Sequence, residues 1–134
     1  MTAVTTSKHI KEILQSEGIT QDIFIGEQPD EPNTVITIYD TGGKESNPKW
    51  RIDYPEIQIR VRDESYTTAY SIISDIRGKI LGKESIVKGD YVYVGFYTIG
   101  GIIAMPKDDK RRSSFVLNFS IVREPLISDN RTQL

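Results

Sequence analysis

The chain contains no cysteine. That excludes a disulfide framework, a thiolate metal site and a cysteine nucleophile. It has a single histidine, His9, so no site that needs two histidines from one chain can form. Basic charge is not in excess: 17 Lys and Arg stand against 19 Asp and Glu, for a formal net charge of −2. The strongly basic surface of a dedicated DNA binder is thereby excluded. Long apolar runs are missing as well. The longest uncharged stretch, Tyr91 to Pro106, is interrupted by Gly95, Gly100 and Gly101, and it falls short of the ~20 apolar residues of a membrane helix. Met1 to Lys8 lacks the basic and then apolar regions of a secretory signal. The glycosylation-like triplets at Asn118 and Asn130 are therefore read as chance.

What is present is 134 residues with 37% apolar and 27% charged side chains, enough for one small folded domain. The reading places that domain at residues 1–124 and a polar, mobile tail at 125–134. Thr5 to Glu17 has helical spacing, with Ile10, Ile13 and Leu14 on one face and His9 on an exposed side. Ile19 to Ile25 alternates as a short strand, and Gly26 to Asn33 is an acidic, turn-rich loop. Thr34 to Tyr39 is a β-branched strand that ends at Asp40. Thr41 to Trp50 reads as a long flexible loop.

Glu56 to Arg62 alternates cleanly. Ile57, Ile59 and Val61 face inward, and Glu56, Gln58, Arg60 and Arg62 face outward. Ser65 to Leu81 carries a stripe of Ala69, Ile72, Ile73, Ile76 and Ile80, the mark of an amphipathic helix. Tyr91 to Ile99 and Ile102 to Met105 flank Gly100-Gly101, a two-residue hairpin signal. Lys107 to Arg112 is a charged turn, and Ser114 to Val122 is a strand with Phe115, Leu117, Phe119 and Ile121 inward. The order implies an α+β fold: a mostly antiparallel sheet of five to six strands with two helices packed mainly on one face.

Candidate chemistry is thin. Asp40-Thr41-Gly42 after an apolar strand is the signature of a dimeric aspartic protease, in which two chains bring two carboxylates together to share one proton. The Gly-rich hairpin that would form the flap comes too late in the chain, and an amphipathic helix stands where that fold needs strands. Gly78 to Lys83 has three residues between its glycines where a phosphate loop needs four. Glu27, Asp30 and Glu31 lack the alternating oxygen ligands of a cation loop. No cofactor, metal or catalytic set is expected.

Surfaces are more informative. Lys110, Arg111 and Arg112 offer possible phosphate contacts, diluted by Asp108 and Asp109. Tyr91, Tyr93 and Tyr97 share one face by alternation, either as an interface or half-buried under a helix. Trp50, the only tryptophan, is an interface anchor or a local cover over the sheet edge.

Between Pro32 and Leu81 the chain resembles the minor capsid, tail-completion and tail-terminator proteins of long-tailed bacteriophages. The resemblance is carried by Val35-Ile-Thr-Ile-Tyr39, Thr41-Gly-Gly43 opening a variable loop, Pro55-Glu-Ile-Gln-Ile-Arg-Val-Arg62, and then Tyr66 and Ala69-Tyr70 on a helix. It implies a tail-terminator-like fold and no catalysis. It also implies a homo-oligomeric ring, commonly a hexamer, that caps the tail tube protein and docks to the head–tail connector protein. DNA would pass through the lumen without sequence-specific binding. The same resemblance implies a virion protein at the head–tail junction, made in the host cytoplasm, with no membrane contact. A head completion or stopper role, and a place in a contractile injection or prophage-derived system, stay open beside it.

A globule of this length has a diameter of ~36 Å, and six in a ring leave a hole of ~36 Å, wide enough for a duplex. Ring closure needs two different patches on each subunit. The candidates are the polar face of Glu56, Gln58, Arg60 and Arg62 and the tyrosine face. Gly42, Gly43, Lys44 and Trp50 in the loop, with Arg123 and Glu124 leading into the tail, are candidates for docking to tube or connector.

Overall fold

The computed structural model describes residues 4–47 and 51–126. Helix α1 (Thr6–Ser16) begins where the Thr5 hydroxyl accepts from the Lys8 amide, an N-cap that satisfies one of the helix's orphan donors. Helix α2 (Tyr66–Ile80) starts the same way, with Ser65 accepting from the Thr68 amide. Its buried residues are Ala69, Ile72, Ile73, Ile76 and Ile80, the stripe read from the spacing.

Among the described residues six strands make one sheet: β1 (Ile23–Ile25), β2 (Val35–Asn47), β3 (Ile52–Asp63), β4 (Ile86–Lys88), β5 (Tyr91–Met105) and β6 (Ser113–Pro125). Their order is β1-β2-β3-β6-β5-β4. Only β1 runs parallel to its neighbour; every other pairing is antiparallel. Ile36 and Ile38 on β2, Ile57, Ile59 and Val61 on β3, and Leu117, Phe119 and Ile121 on β6 join the helix stripes in one core. The architecture is the α+β fold expected, with both helices on one face of the sheet and, among the described residues, no helix on the other.

Four local expectations are corrected. The strand that was to end at Asp40 continues to Asn47 and forms a long hairpin with β3, so Gly42, Gly43 and Lys44 belong to a ladder and not to a loop. Bulges lie between Asp40 and Gly42 and between Lys44 and Asn47. Glycine makes the first of these possible: Gly42 and Gly43 sit at φ 96° and 108°, and a Cβ on Gly43 would lie 2.1 Å from the Tyr54 carbonyl oxygen. Trp50 lies outside the described residues.

Gly100-Gly101 does not turn the chain. It sits in a bulge within β5, between the pairs Ile99–Asn118 and Ile103–Val116, and the reversal comes later, at residues 106–112. An isolated glycine pair in a strand absorbs extra residues as readily as it reverses direction. Strand β4 was not anticipated, since three residues carry no readable alternation.

The tyrosine face is also split. A register shift between Tyr93 and Gly95 moves the alternation by one residue. Tyr93 and Phe96 therefore both point into the core, stacked with ring centroids 5.8 Å apart. Tyr97 emerges on the other face, 57% exposed.

Candidate functional site

Three features stand out from the residues upward. The first is a polar knot inside the core. His9, expected on the surface of α1, is buried beneath the turn at Gly89, and its Nδ1 lies 2.6 Å from the Tyr93 hydroxyl. Arg123 donates to that hydroxyl and to the Thr6 hydroxyl, at 3.4 and 3.1 Å. Its guanidinium also reaches Asp53 and lies 3.9 Å over the Tyr91 ring. Burial pushes the Tyr93 hydroxyl up from its ordinary pKa.

Burial also holds the His9 imidazole below its ordinary 6.5; Glu12 opposes this, while Arg123 and Lys88 add to it. The unfolded chain then binds a proton that the folded chain resists. The stability due to neutral His9 is present above about pH 6.5 and is lost as pH falls below it. Thermal melting between about pH 7.5 and 5.5 should show this slope, and His9→Gln should flatten it. Equal slopes in the two proteins would refute the assignment.

The second feature is a clasp over one end of the helix-free face. Arg62 is 2% exposed. It donates to the backbone carbonyls of Asp30, Pro32 and Asn33 at 3.1, 2.7 and 3.2 Å. Arg112, also buried, reaches the Asp30 carbonyl at 2.6 Å and the carboxylates of Asp30 and Asp108 at 2.9 and 2.8 Å. Lys110 joins Asp30 and Glu31 from outside. Lys110 first, then Arg112, hold the Asp30 carboxyl below its ordinary range, and Arg112 does the same for Asp108. The open cavity here, about 260 Å³, is lined by Asp30, Asp108, Asp109, Lys110 and Arg112. Acidic loop and basic turn thus neutralise each other.

The third feature is an apolar edge. On the helix-free side of β5, Tyr97, Ile99, Ile103 and Met105 are exposed, and Val94 stands with them. Five of the ten large apolar side chains exposed among the described residues lie on this one strand segment. Sequence reasoning missed it because it divided β5 at Gly100.

The residues singled out from sequence are thereby sorted. Glu56, Gln58 and Arg60 stand half-buried on the helix-free face, with Gln58 donating to Asn118 at 3.2 Å. Arg62 and Tyr93 are buried within the chain and present no surface. Arg112 is buried too, and Lys110 is engaged with Asp30; only Arg111 of the proposed phosphate set projects free of the clasp's ion pairs. Tyr91 is half-buried beneath Arg123, and Glu124 is half-buried in β6. Asp40 accepts from the Ser7 amide and hydroxyl at 3.0 and 2.6 Å, where it complements the N-terminal end of α1. Asp40-Thr41-Gly42 lies within a strand, so the turn on which a protease reading rests does not form. Among the described residues no group of His, Asp and Glu is placed to hold a metal ion.

The sequence pattern of the family described as "Bacteriophage tail terminator protein" matches residues 13–125. The chain belongs to that family. It is a tail-related structural protein of a virion. Its terminator fold is shared with a chain in the solved structure of the virion of a native gene transfer agent (GTA) particle. The TM-score is 0.67 at 13% identity, over 89% of this chain and 94% of that one. Comparison with curated proteins finds no matching sequence.

Proposed function

We propose that this terminator closes into a homo-oligomeric ring, a hexamer by the usual habit of the family, that caps the tail tube and offers its other surface to the head–tail connector. The observation that carries the reading is the family match across residues 13–125, nearly the whole sheet and both the clasp and the apolar edge. The ring stands at the head–tail junction, is assembled in the host cytoplasm, and lets DNA pass through its lumen. A chain with net charge −2 suits that passage, because a strongly basic lumen would hold phosphates through counterion release instead of letting the duplex slide. The clasp fits the same picture: Lys110 and Arg112 are spent on Asp30 and Asp108 and are not offered to DNA.

The test is native mass spectrometry and negative-stain microscopy of the chain, alone and mixed with tail tubes of the same particle. Closed rings, or rings seated at tube ends that stop further growth, are the expected result. Binding to isolated head connectors with none to tubes would make it a head completion protein instead. A monomer that tubes do not recruit would overturn the ring.

A further inference from the structure

The sheet leaves two edges open, in a complementary way. Strand β1 covers β2 only at Ile36 to Ile38, so Asp40 to Asn47 has no outer neighbour among the described residues. Strand β4 covers β5 only at Tyr91 to Tyr93, so Val94 to Met105 has none either. Register carries one row across the sheet, Gly42–Glu56–Ser120–Tyr97. The open part of β2 thus lies level with the first open residues of β5.

The chemistry of the two edges differs. Exposed edges are normally defended by charge, proline or a short strand. Val94 to Met105 is long and has no charged residue and no proline. It carries the chain's concentration of exposed apolar side chains, a patch that marks a contact surface. The open part of β2 holds Lys44 and Glu45, both exposed, so it is defended and stays soluble when bare. It also holds Gly42, where the space beyond the missing side chain is empty. A large ring beside a glycine in a sheet covers backbone that the glycine leaves bare; the Tyr97 ring already lies over Gly95 of its own strand and stands in the same row as Gly42.

Direction completes the match. Strands β2, β3, β6 and β5 alternate, so a second copy that is rotated and not flipped brings its β2 antiparallel to β5. We propose that the open start of β5, Val94 to Thr98 with Tyr97 at its centre, seats the Asp40–Lys44 segment of a second copy of this chain. This contact is heterologous and would repeat around a ring. It rests on the ring reading and names its seam. Lys44 and Glu45 stay at the solvent rim, because β5 brings no charge to pair with them. The exposed apolar side chains of β5 number five, each only 37–57% exposed, a smaller patch than the ~800 Å² per partner of a stable pair. The contact is therefore one that closure of a ring makes durable, with isolated pairs dissociating.

The absence of cysteine gives a clean test. Val94→Cys and Lys44→Cys are made singly and together, and a short bifunctional maleimide is added to the chain at ring-forming concentration, or to rings on tube ends. Within one chain the two sites lie three strand spacings apart, about 14 Å, beyond a short crosslinker. The doubly substituted chain should give a ladder of covalent oligomers up to the ring, and each single variant none. A covalent dimer from Val94→Cys alone would mean that β5 pairs with itself, and would overturn the proposal. Rings visible by microscopy with no ladder would overturn the seam and leave the ring standing. No ring with or without tubes would remove the ring reading and this seam together.

A second arm uses Tyr97→Asp, at a side chain 57% exposed. Its melting temperature should match the parent, while the concentration for half-assembly rises at least about tenfold. Assembly at the parental concentration would overturn the proposal.

Discussion

Replacing Arg62 with alanine should lower folding stability by about 3 kcal/mol and the melting temperature by roughly 10 °C. Three of the side chain's donors are spent on a loop whose own backbone has no strand to pair with. Three carbonyls, those of Asp30, Pro32 and Asn33, converge on one guanidinium. Without it the Pro32 and Asn33 carbonyls lose their partner, the Asp30 carbonyl keeps only Arg112, and Arg112 loses the ordered loop it grips. An ammonium cannot fill the role, because its three donors point differently from a planar fork, so Arg62→Lys should recover less than half the loss. Circular dichroism melts of the three proteins decide it. If Arg62→Ala melts within a few degrees of the parent, the clasp is ornamental.

Phe119→Ala should cost more, about 3–5 kcal/mol. Phe119 is fully buried on β6, across from Ile57 on one side and Thr98 on the other. The β-sheet backbone beneath it is held by both neighbours and cannot collapse into the space left behind. The cavity term therefore adds in full to the lost transfer energy. Urea unfolding should show the midpoint falling with the slope unchanged, since the surface exposed on unfolding stays nearly the same. A loss under 1 kcal/mol would mean the site relaxes freely.

The parts of this fold that were legible from sequence are those set by near neighbours. The alternation of Ile57, Ile59 and Val61 and the stripe of α2 survive intact, because each repeats a short period over several turns or pleats. The errors share one cause, which is contact between residues distant in sequence. His9 looks solvent-facing beside Lys8 and Lys11, and its burial is decided by Tyr93, 84 residues on. Arg62 was correctly placed on the outward face, yet the 26–33 loop folds over that face. Lys110 and Arg112 read as possible phosphate contacts, diluted by Asp108 and Asp109, until Asp30 arrives from some 80 residues away.

Bulges account for the rest. Alternation cannot survive an inserted residue, so Tyr93 and Tyr97, which read as one face, end on two. Gly95 and the Gly100-Gly101 pair were the available signal, since isolated glycines inside a strand pattern mark bulges. Of the candidate site, the outward direction of Glu56, Gln58 and Arg60 on β3 was legible from alternation alone. The apolar edge needed the pairing.

The strand order has a consequence for synthesis. Strands β2 and β3 form a local hairpin, as do β5 and β6, but the seam between them joins Ile59 to Leu117. At translation rates of about 5–20 residues per second, the partner of β3 emerges roughly 3–12 seconds after β3 itself. Helix α2 follows β3 directly and can lie across its face in that interval, but a helix offers no ladder to a bare strand edge. The nascent N-terminal half is thus a half-sheet waiting on the ribosome, and the passage of β6 out of the exit tunnel is the event that commits the chain to its fold.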